Sequence, residues 1–218
     1  MSSGTLEALK WFALIAMAFD HYNKFIYSNE LPYIFEIGRT CLPIFAFVIG
    51  YKLTLANSLD NGAYIRVMIR LGIFGVLATP AYLGMNPYWW PLNIMFMFLG
   101  AVLSIYLLHL GGKLNITLAV FIFILFGFLV EWWWWGSGLT ICAWAYSHYK
   151  KPIFGILFIL VTASLVLINQ NHFALLALPI IFGAQYIAIS LPRYRWAFYV
   201  FYPLHLTIIW FLLVTPSL

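Results

Sequence analysis

Apolar residues dominate this chain in blocks of about 20, the length that a helix needs to cross roughly 30 Å of hydrocarbon. Short segments with turn residues, such as "MNPYWWP", "LGGKLN" and "LPRYR", separate most of the blocks. The pattern predicts nine membrane-spanning helices, at residues 5–26, 39–57, 62–79, 92–110, 115–133, 137–149, 152–168, 172–190 and 196–215. The sixth is short and is either a crossing or a re-entrant segment. We therefore predict an all-α, polytopic membrane protein formed by a single domain, residues 1–218.

The composition agrees with a membrane environment. Hydrophobic residues make up 65% of the chain and charged residues 8%, and the mean hydropathy is +0.96. Soluble domains carry about a quarter charged residues, so a soluble protein is excluded. We expect membrane lipids around the chain, no nucleic-acid partner and no metal site. Cys41 and Cys142 both lie within apolar blocks, which indicates packing residues rather than a disulfide framework.

Basic residues predict the orientation of the helices, because Lys and Arg concentrate on the cytoplasmic side of a membrane protein. With a cytoplasmic N-terminus and nine crossings, nine of the eleven basic residues fall on that side. Only Lys24 and Arg39 fall outside. A re-entrant sixth segment would place Lys150 and Lys151 on the wrong face, so this distribution favours a sixth crossing. The C-terminus is then periplasmic.

Two ionisable residues interrupt the first apolar block, "LKWFALIAMAFDHYNKF". From Lys10 at the inner boundary, His21 lies about 16 Å further across the membrane. Such groups are costly in hydrocarbon and usually mark a functional site, although a helix-end histidine in the headgroup region is the alternative. Asp20 points about 100° away from His21 on a helix, so the two do not pair directly. Asp20 can instead pair with Lys24, four residues on, or with Arg39.

The second block begins with "GRTCLPIFAFVIGY", in which Arg39 stands at the membrane face. Its planar guanidinium suits a carboxylate or phosphate partner, and the alternative is an arginine that reaches into the lipid headgroups. Gly38 and Gly50 allow another helix to approach closely.

The last block contains "FYVFYPLHLTIIW", which places His205 near mid-membrane. Pro203 lacks a backbone donor and leaves the carbonyl of Tyr199 without its usual helical partner, so this part of the helix is polar. His205 is either a functional residue or a satisfied packing residue. Glu131, at the external end of the fifth block, is either an interfacial carboxylate or a second acid or base that faces a cavity.

Lys52, Arg66 and Arg70 cluster at the cytoplasmic ends of the second and third blocks. They either retain this end in the cytoplasm or bind a phosphorylated cofactor, since Arg and Lys are the usual phosphate ligands. The chain has no glycine-rich phosphate loop that would compete for such a cofactor.

Three motifs, "LKWFALIAMAFDH", "GRTCLPIFAFVIGY" and "FYPLHL", stand in an order that resembles the TraX family of conjugative-pilus proteins. The segments "LNIMFMFLGAV" and "FALLALPII" add to the resemblance, which covers essentially the whole chain. More distantly, the layout is similar to transmembrane acyltransferases of the acyltransferase-3 and heparan N-acetyltransferase types. The resemblance implies a bacterial inner-membrane acetyltransferase that transfers an acetyl group from acetyl-CoA to the N-terminal amine of a conjugative pilin subunit. It implies a catalytic role for His21.

These observations combine into one hypothesis. Lys52, Arg66 and Arg70 bind the phosphates of cytoplasmic acetyl-CoA, and the thioester reaches His21. His21 acts as a general base or forms an acetyl-imidazole. Arg39, paired with Asp20, shapes the external opening and supplies positive potential, and His205 donates a hydrogen bond to the developing oxyanion. A proton-coupled carrier and a non-catalytic scaffold for pilin assembly are the alternatives.

Overall fold

The computed structural model describes residues 1–55, 58–86 and 88–215 of the protein. Within these ranges the chain is helical and forms no strand, apart from an isolated bridge between Leu92 and Val130. The helices are α1 (Ser3–Ile26), α2 (Pro32–Gly38), α3 (Cys41–Lys52), α4 (Ala63–Met85), α5 (Ile94–Leu110), α6 (Lys113–Leu129), α7 (Trp133–Tyr149), α8 (Pro152–Ser164), α9 (Val166–Asn169), α10 (Ala177–Ala184) and α11 (Ala197–Val214). A 3-10 turn, Phe173–Leu176, precedes α10.

Local sequence signals account for several helix ends. The Oγ of Ser2 accepts a hydrogen bond from the amide of Thr5 (3.1 Å) and caps α1. The side-chain oxygen of Asn93 caps α5 in the same way through the amide of Met95 (3.1 Å). Between α5 and α6 the chain turns at the pair Gly111 and Gly112, both with positive φ, which glycine adopts without steric cost.

In the part of the chain that the structure describes, four helical segments are long and apolar enough to cross a membrane. They are Pro32–Lys52, Ala63–Met85, Pro152–Asn169 and Ala197–Val214. Helix α1 is longer, but Glu7, Lys10, Asp20 and Lys24 lower its apolar character. The all-α class is confirmed for the described residues, and the count of nine spans and the orientation of the termini stay predictions.

Two predicted blocks differ in shape from the helices that form. The second block, predicted at 39–57, begins earlier as α2 and breaks at Arg39 and Thr40 before α3, and residues 56–57 lie outside the described ranges. The eighth block, predicted at 172–190, is helical only over Phe173–Ala184, roughly 20 Å of helix. Apolar composition alone does not show where a helix stops and an apolar extended segment begins, which is why the sequence overestimated this helix.

The helices pack in an assembly whose outer surface is apolar. Helix α3 packs against α7, α4 against α11, and α5 against α6. The core includes Tyr64, Met97, Ile105, Leu139 and Trp144, all fully buried. By contrast, much of α4, α6 and α8 exposes large apolar side chains. An apolar outer surface of this extent is typical of a protein whose helices contact lipid.

Glycine allows the close packing of α3 on α7. A Cβ atom built at Gly50 would lie 2.7 Å from the carbonyl oxygen of Thr140. The close approach predicted for Gly50 is therefore confirmed, and it allows α3 to pack directly against α7.

Candidate functional site

Two cavities open at opposite ends of α1. The first, which we call the histidine cavity, has a volume of about 210 Å³ and is lined by His21, Asp20 and Arg39, among others. The second, the basic cavity, has a volume of about 200 Å³ and is lined by several Lys and Arg side chains. Helices α1, α3, α4 and α11 contribute to both cavities.

Four residues separate the two cavities. Met17 of α1, Phe45 of α3, Ile94 of α5 and Tyr202 of α11 line both. We call this group the septum. Because the same four side chains line both spaces, the two cavities adjoin at the septum.

His21 and His205 meet through their ring nitrogens. The Nδ1 atom of His21 lies 2.8 Å from Nε2 of His205, and the two rings are nearly coplanar, inclined by 10°. The Nδ1 atom of His205 lies 2.9 Å from the carbonyl oxygen of Phe201, one turn earlier in α11. His205 is buried and does not line the cavity, whereas His21 does.

This chain of contacts assigns the ring protons. A carbonyl oxygen only accepts hydrogen bonds, so Nδ1 of His205 carries a proton that it donates to Phe201. In a neutral His205, Nε2 is then an acceptor, and Nδ1 of His21 must be the donor to it. The Nε2 atom of a neutral His21 therefore keeps its lone pair. His205 orients His21 and selects the tautomer in which Nε2 is basic and nucleophilic.

Asp20 pairs with Arg39. The Nη2 atom of Arg39 lies 2.5 Å from both carboxylate oxygens of Asp20. The guanidinium also donates from Nε to the carbonyl oxygen of Phe35 (3.3 Å) and lies over the ring of Phe35, 4.3 Å from its centroid. Of the two partners predicted for Asp20, Arg39 is the one that forms the ion pair. Asp20 and His21 do not pair directly, as helix geometry predicted.

Gly38 makes this ion pair possible. A Cβ atom at Gly38 would lie 2.5 Å from the Cβ, Cγ and Oδ1 atoms of Asp20. Only a residue without a side chain lets the start of the α2–α3 connection pass so close to α1. The close approach predicted for Gly38 is confirmed, and its consequence is the position of Arg39.

Glu131 also lines the histidine cavity. Tyr82 and Ile94 line the same cavity. Of the two interpretations that the sequence left open for Glu131, the structure favours a carboxylate that faces the cavity over one that lies in the membrane interface.

The basic cavity contains only part of the predicted phosphate-binding cluster. Lys52 and Arg70 line it, but Arg66 does not. Arg66 is exposed and its guanidinium donates hydrogen bonds to Asn61. Three basic residues outside the predicted cluster also line the cavity: Lys10, Arg193 and Arg195.

A buried carboxylate organises two of these lysines. Glu7 is fully buried, with its Oε2 atom 2.6 Å from Nζ of Lys10 and its Oε1 atom 3.0 Å from Nζ of Lys52. Glu7 was not among the residues predicted for the site, although its i, i+3 spacing to Lys10 was a usable signal. Glu7 neutralises part of the positive charge of Lys10 and Lys52. Lys52 is therefore a weaker phosphate ligand than Arg70.

Arg70 is held by aromatic rings rather than by an acid. Its guanidinium carbon lies 4.4 Å from the ring centroid of Trp196 and 5.7 Å from that of Tyr199. This stacking leaves the edge of the guanidinium, with its donors, available to an anion in the cavity. Arg193 and Arg195 precede α11, and their sequence spacing carried no sign that they would reach this cavity.

No group of three or more His, Cys, Asp or Glu side chains that could hold a metal ion occurs among residues 1–55, 58–86 and 88–215.

A helical assembly with an apolar outer surface encloses a histidine pair and a buried ion pair, which defines a membrane-type protein with a polar site inside. A family model described as "TraX protein" matches residues 5–213, so the chain belongs to the TraX family. The family predicted from the sequence motifs is confirmed. No curated protein and no solved structure matches the chain. The more distant similarity to transmembrane acyltransferases stays a prediction.

Proposed function

We propose that this protein is an integral acetyltransferase of the bacterial inner membrane that moves an acetyl group from acetyl-CoA to the N-terminal amine of a conjugative pilin subunit. The observation that carries the proposal is the oriented His21, whose Nε2 lone pair is free beside a cavity that adjoins a second, basic cavity. The TraX family is associated with conjugative pilin processing. That association makes a pilin subunit the first acceptor to test.

The proposed orientation in the membrane follows from charge. Nine crossings with a cytoplasmic N-terminus and a periplasmic C-terminus put the basic cavity at the cytoplasmic side, where acetyl-CoA is present. The histidine cavity then opens toward the periplasm. Lys10, Lys52, Arg70, Arg193 and Arg195 all line the cytoplasmic cavity, which agrees with the positive-inside rule.

Acetyl-CoA would bind across the two cavities. Arg70, Arg193 and Arg195 are the best-placed ligands for its phosphates, with Lys10 and Lys52 adding the positive charge that Glu7 leaves unneutralised. The predicted contribution of Arg66 would have to come from outside the cavity. The slender pantetheine arm would pass the septum and bring the thioester into the histidine cavity.

His21 then promotes the transfer. The acceptor amine attacks the thioester carbon, a C–N bond forms, and the C–S bond breaks. Nε2 of His21 takes a proton from the attacking nitrogen and passes it to the leaving thiolate, which departs as CoA thiol. A transient acetyl-imidazole at Nε2, resolved by the amine, is the covalent version of the same step.

The remaining polar residues support His21. His205 orients the imidazole through Nδ1, which differs from the predicted donation by His205 to the oxyanion, since both of its nitrogens are occupied here. The Arg39 guanidinium supplies positive potential in the cavity as the thioester oxygen becomes negative. Asp20 fixes that guanidinium in place.

The experiment is mass spectrometry of the pilin subunit from cells that carry the wild-type protein, His21→Ala or His172→Ala. His172 is exposed and serves as the matched histidine control. We expect the N-terminal pilin peptide to gain one acetyl group with wild type and His172→Ala, and to stay unmodified with His21→Ala. Near-normal acetylation in His21→Ala would remove His21 from the mechanism. A pilin mass that does not depend on the protein would refute the acceptor.

A carrier is the second candidate, because two cavities that adjoin at a shared set of residues are compatible with a path through the protein. Transfer of radiolabel from acetyl-CoA to a membrane acceptor separates the two functions. A carrier would move a solute or protons in reconstituted vesicles and would transfer no label. A non-catalytic scaffold would do neither and would tolerate His21→Ala.

A further inference from the structure

We propose that Glu131, together with Tyr82, Trp132 and Tyr202, forms a binding site for a primary ammonium group, the protonated N-terminus of the acceptor. This inference rests on the proposed function, because it assigns the acceptor's place within the histidine cavity. All four residues line that cavity, and they come from α4, from the connection between α6 and α7, and from α11.

The backbone holds Glu131 firmly at this position. The backbone N–H of Glu131 donates to the carbonyl oxygen of Leu92 (2.9 Å). The backbone N–H of Leu92 donates to the carbonyl oxygen of Leu129 (2.8 Å). These two hydrogen bonds clamp the α6–α7 connection to the start of α5. The clamp turns the connection inward, so Glu131 belongs to the cavity wall rather than to a loose external loop.

The next residues adopt a costly conformation. Trp132 and Trp133 have φ values of 60° and 47°, in the left-handed region that non-glycine residues rarely adopt. This conformation is unfavourable for a residue with a side chain, and strain of this kind collects at ligand sites. Here it lets the chain turn into α7 while Trp132 stays on the cavity wall.

The Glu131 carboxylate has polar neighbours but no ion pair. Within the described residues, the carboxylates that form ion pairs are those of Glu7 and Asp20. The hydroxyl-bearing residues Tyr82 and Tyr202 line the same cavity as Glu131. Lys24 and Arg39 also line the cavity, and Arg39 is paired with Asp20. Within the described residues neither forms an ion pair with Glu131, so the carboxylate is open to a cation from outside, for which it would compete with Lys24.

Carboxylate and aromatic groups together suit a primary ammonium. A carboxylate and tyrosine hydroxyls can accept its N–H groups, and an indole such as that of Trp132 attracts a cation to its π-electrons. The acetylated product has an amide in place of this cation and loses these interactions. The site would therefore favour the substrate over the product and promote product release.

The proton balance of the reaction also requires a second acceptor. A protonated amine has three N–H protons, and the product amide keeps one of them. One of the two released protons leaves with CoA thiol through His21. Glu131 would take the other, converting the bound ammonium to the free amine before attack, and would release it to solvent afterwards.

The test measures binding of two peptides to the purified protein in detergent, without acetyl-CoA. The peptides carry the pilin N-terminal sequence, one with a free amine and one chemically acetylated. The proteins are wild type, Glu131→Gln, Glu131→Asp and Glu30→Gln, in which an exposed glutamate is the matched control. We expect wild type and Glu30→Gln to bind the free-amine peptide about tenfold more tightly than the acetylated one.

Loss of that preference in Glu131→Gln, with partial retention in Glu131→Asp, would support the site. An unchanged preference in a folded Glu131→Gln, or equal binding of both peptides by wild type, would overturn it. Acetyl transfer is measured separately with labelled acetyl-CoA. A Glu131-dependent preference without transfer would support the ammonium site and refute the proposed acetyltransferase. Transfer without the preference would support the acetyltransferase and refute the ammonium site.

Discussion

His21 and His205, 184 positions apart in the chain, share a hydrogen bond of 2.8 Å between Nδ1 of the first and Nε2 of the second. Because His205 also donates to the Phe201 carbonyl, the pair has one consistent arrangement of protons when both rings are neutral. In that arrangement the lone pair on Nε2 of His21 is available for chemistry. Under the proposed function, His205 is a positioning residue and His21 is the catalytic residue.

Removal of the His205 ring should lower the rate of acetyl transfer without abolishing it. His205→Ala leaves Nδ1 of His21 without its acceptor, so the ring can rotate and change tautomer, and we expect kcat to fall at least about tenfold. In His205→Gln the side-chain oxygen can still accept from Nδ1, so this variant should be more active than His205→Ala. The KM for acetyl-CoA should change little in either variant.

Transfer kinetics with labelled acetyl-CoA, together with thermal unfolding of each purified variant, provide the measurement. An effect caused only by lost packing would lower both variants equally and would reduce Tm in parallel with kcat. Recovery of activity in His205→Gln at unchanged Tm identifies the hydrogen bond as the cause.

Substitution of Gly38 should disturb the Asp20–Arg39 pair. A methyl group at Gly38 overlaps the Asp20 side chain, so we expect Gly38→Ala to destabilise the protein by about 1–3 kcal/mol and to reduce transfer. Gly183→Ala is the matched control, since a Cβ there meets no atom within 4 Å and alanine favours helix. Its Tm should be unchanged or slightly higher.

Thermal unfolding and transfer rates of the two glycine variants are compared in the same detergent. Equal stability and activity of Gly38→Ala and Gly183→Ala would contradict the close approach of α1 to the α2–α3 connection.

Arg70 and Arg66 should differ in their effect on acetyl-CoA. Arg70 lines the basic cavity with its guanidinium stacked on Trp196, whereas Arg66 lies outside the cavity. We expect Arg70→Gln to weaken acetyl-CoA binding about tenfold, equivalent to about 1.4 kcal/mol, and Arg66→Gln to change it little. Isothermal titration of acetyl-CoA into each purified variant measures the difference.

The sequence predicted that both arginines bind phosphate, so this comparison also tests that prediction. A similar loss in Arg66→Gln would return Arg66 to the binding site. No loss in either variant would leave retention at the cytoplasmic face as their role. Arg70→Lys should remain weaker than wild type, because lysine keeps the charge but loses the planar stacking.

A larger side chain in the septum should block the path between the cavities. Phe45→Trp adds bulk where α3 lines both spaces, so we expect slower acetyl transfer. Binding of adenosine 3′,5′-bisphosphate, which resembles the nucleotide end of CoA, should be unaffected because it needs only the basic cavity. Phe121→Trp, on the exposed face of α6, is the control.

Normal transfer in a folded Phe45→Trp would mean that the thioester reaches His21 by another route. Loss of nucleotide binding together with transfer would show that the substitution distorts the basic cavity itself.

Most of the polar residues of the candidate site can be identified from the sequence. Asp20, His21, Arg39 and His205 stand out because each interrupts an apolar block, and an ionisable group in such a block is conspicuous wherever the helices pack. The motifs around them are also sufficient for the family. The sequence does not identify groups whose role depends on a neighbour distant in the chain, such as Glu7, Arg193 and Arg195.

The sequence by itself therefore determined the helical class and the residues with chemical potential, because hydrophobic blocks and polar interruptions are local properties of the chain. The tertiary structure alone decided which of these residues meet. Lys24 lies one helical turn from Asp20, yet Arg39 takes the carboxylate because Gly38 lets its segment approach α1. The partner of His21 comes from α11, Glu131 turns into the cavity, and Arg66 stays outside it. Each of these outcomes depends on how the helices pack, and contacts between distant helices leave no periodic pattern in one sequence from which they could be predicted.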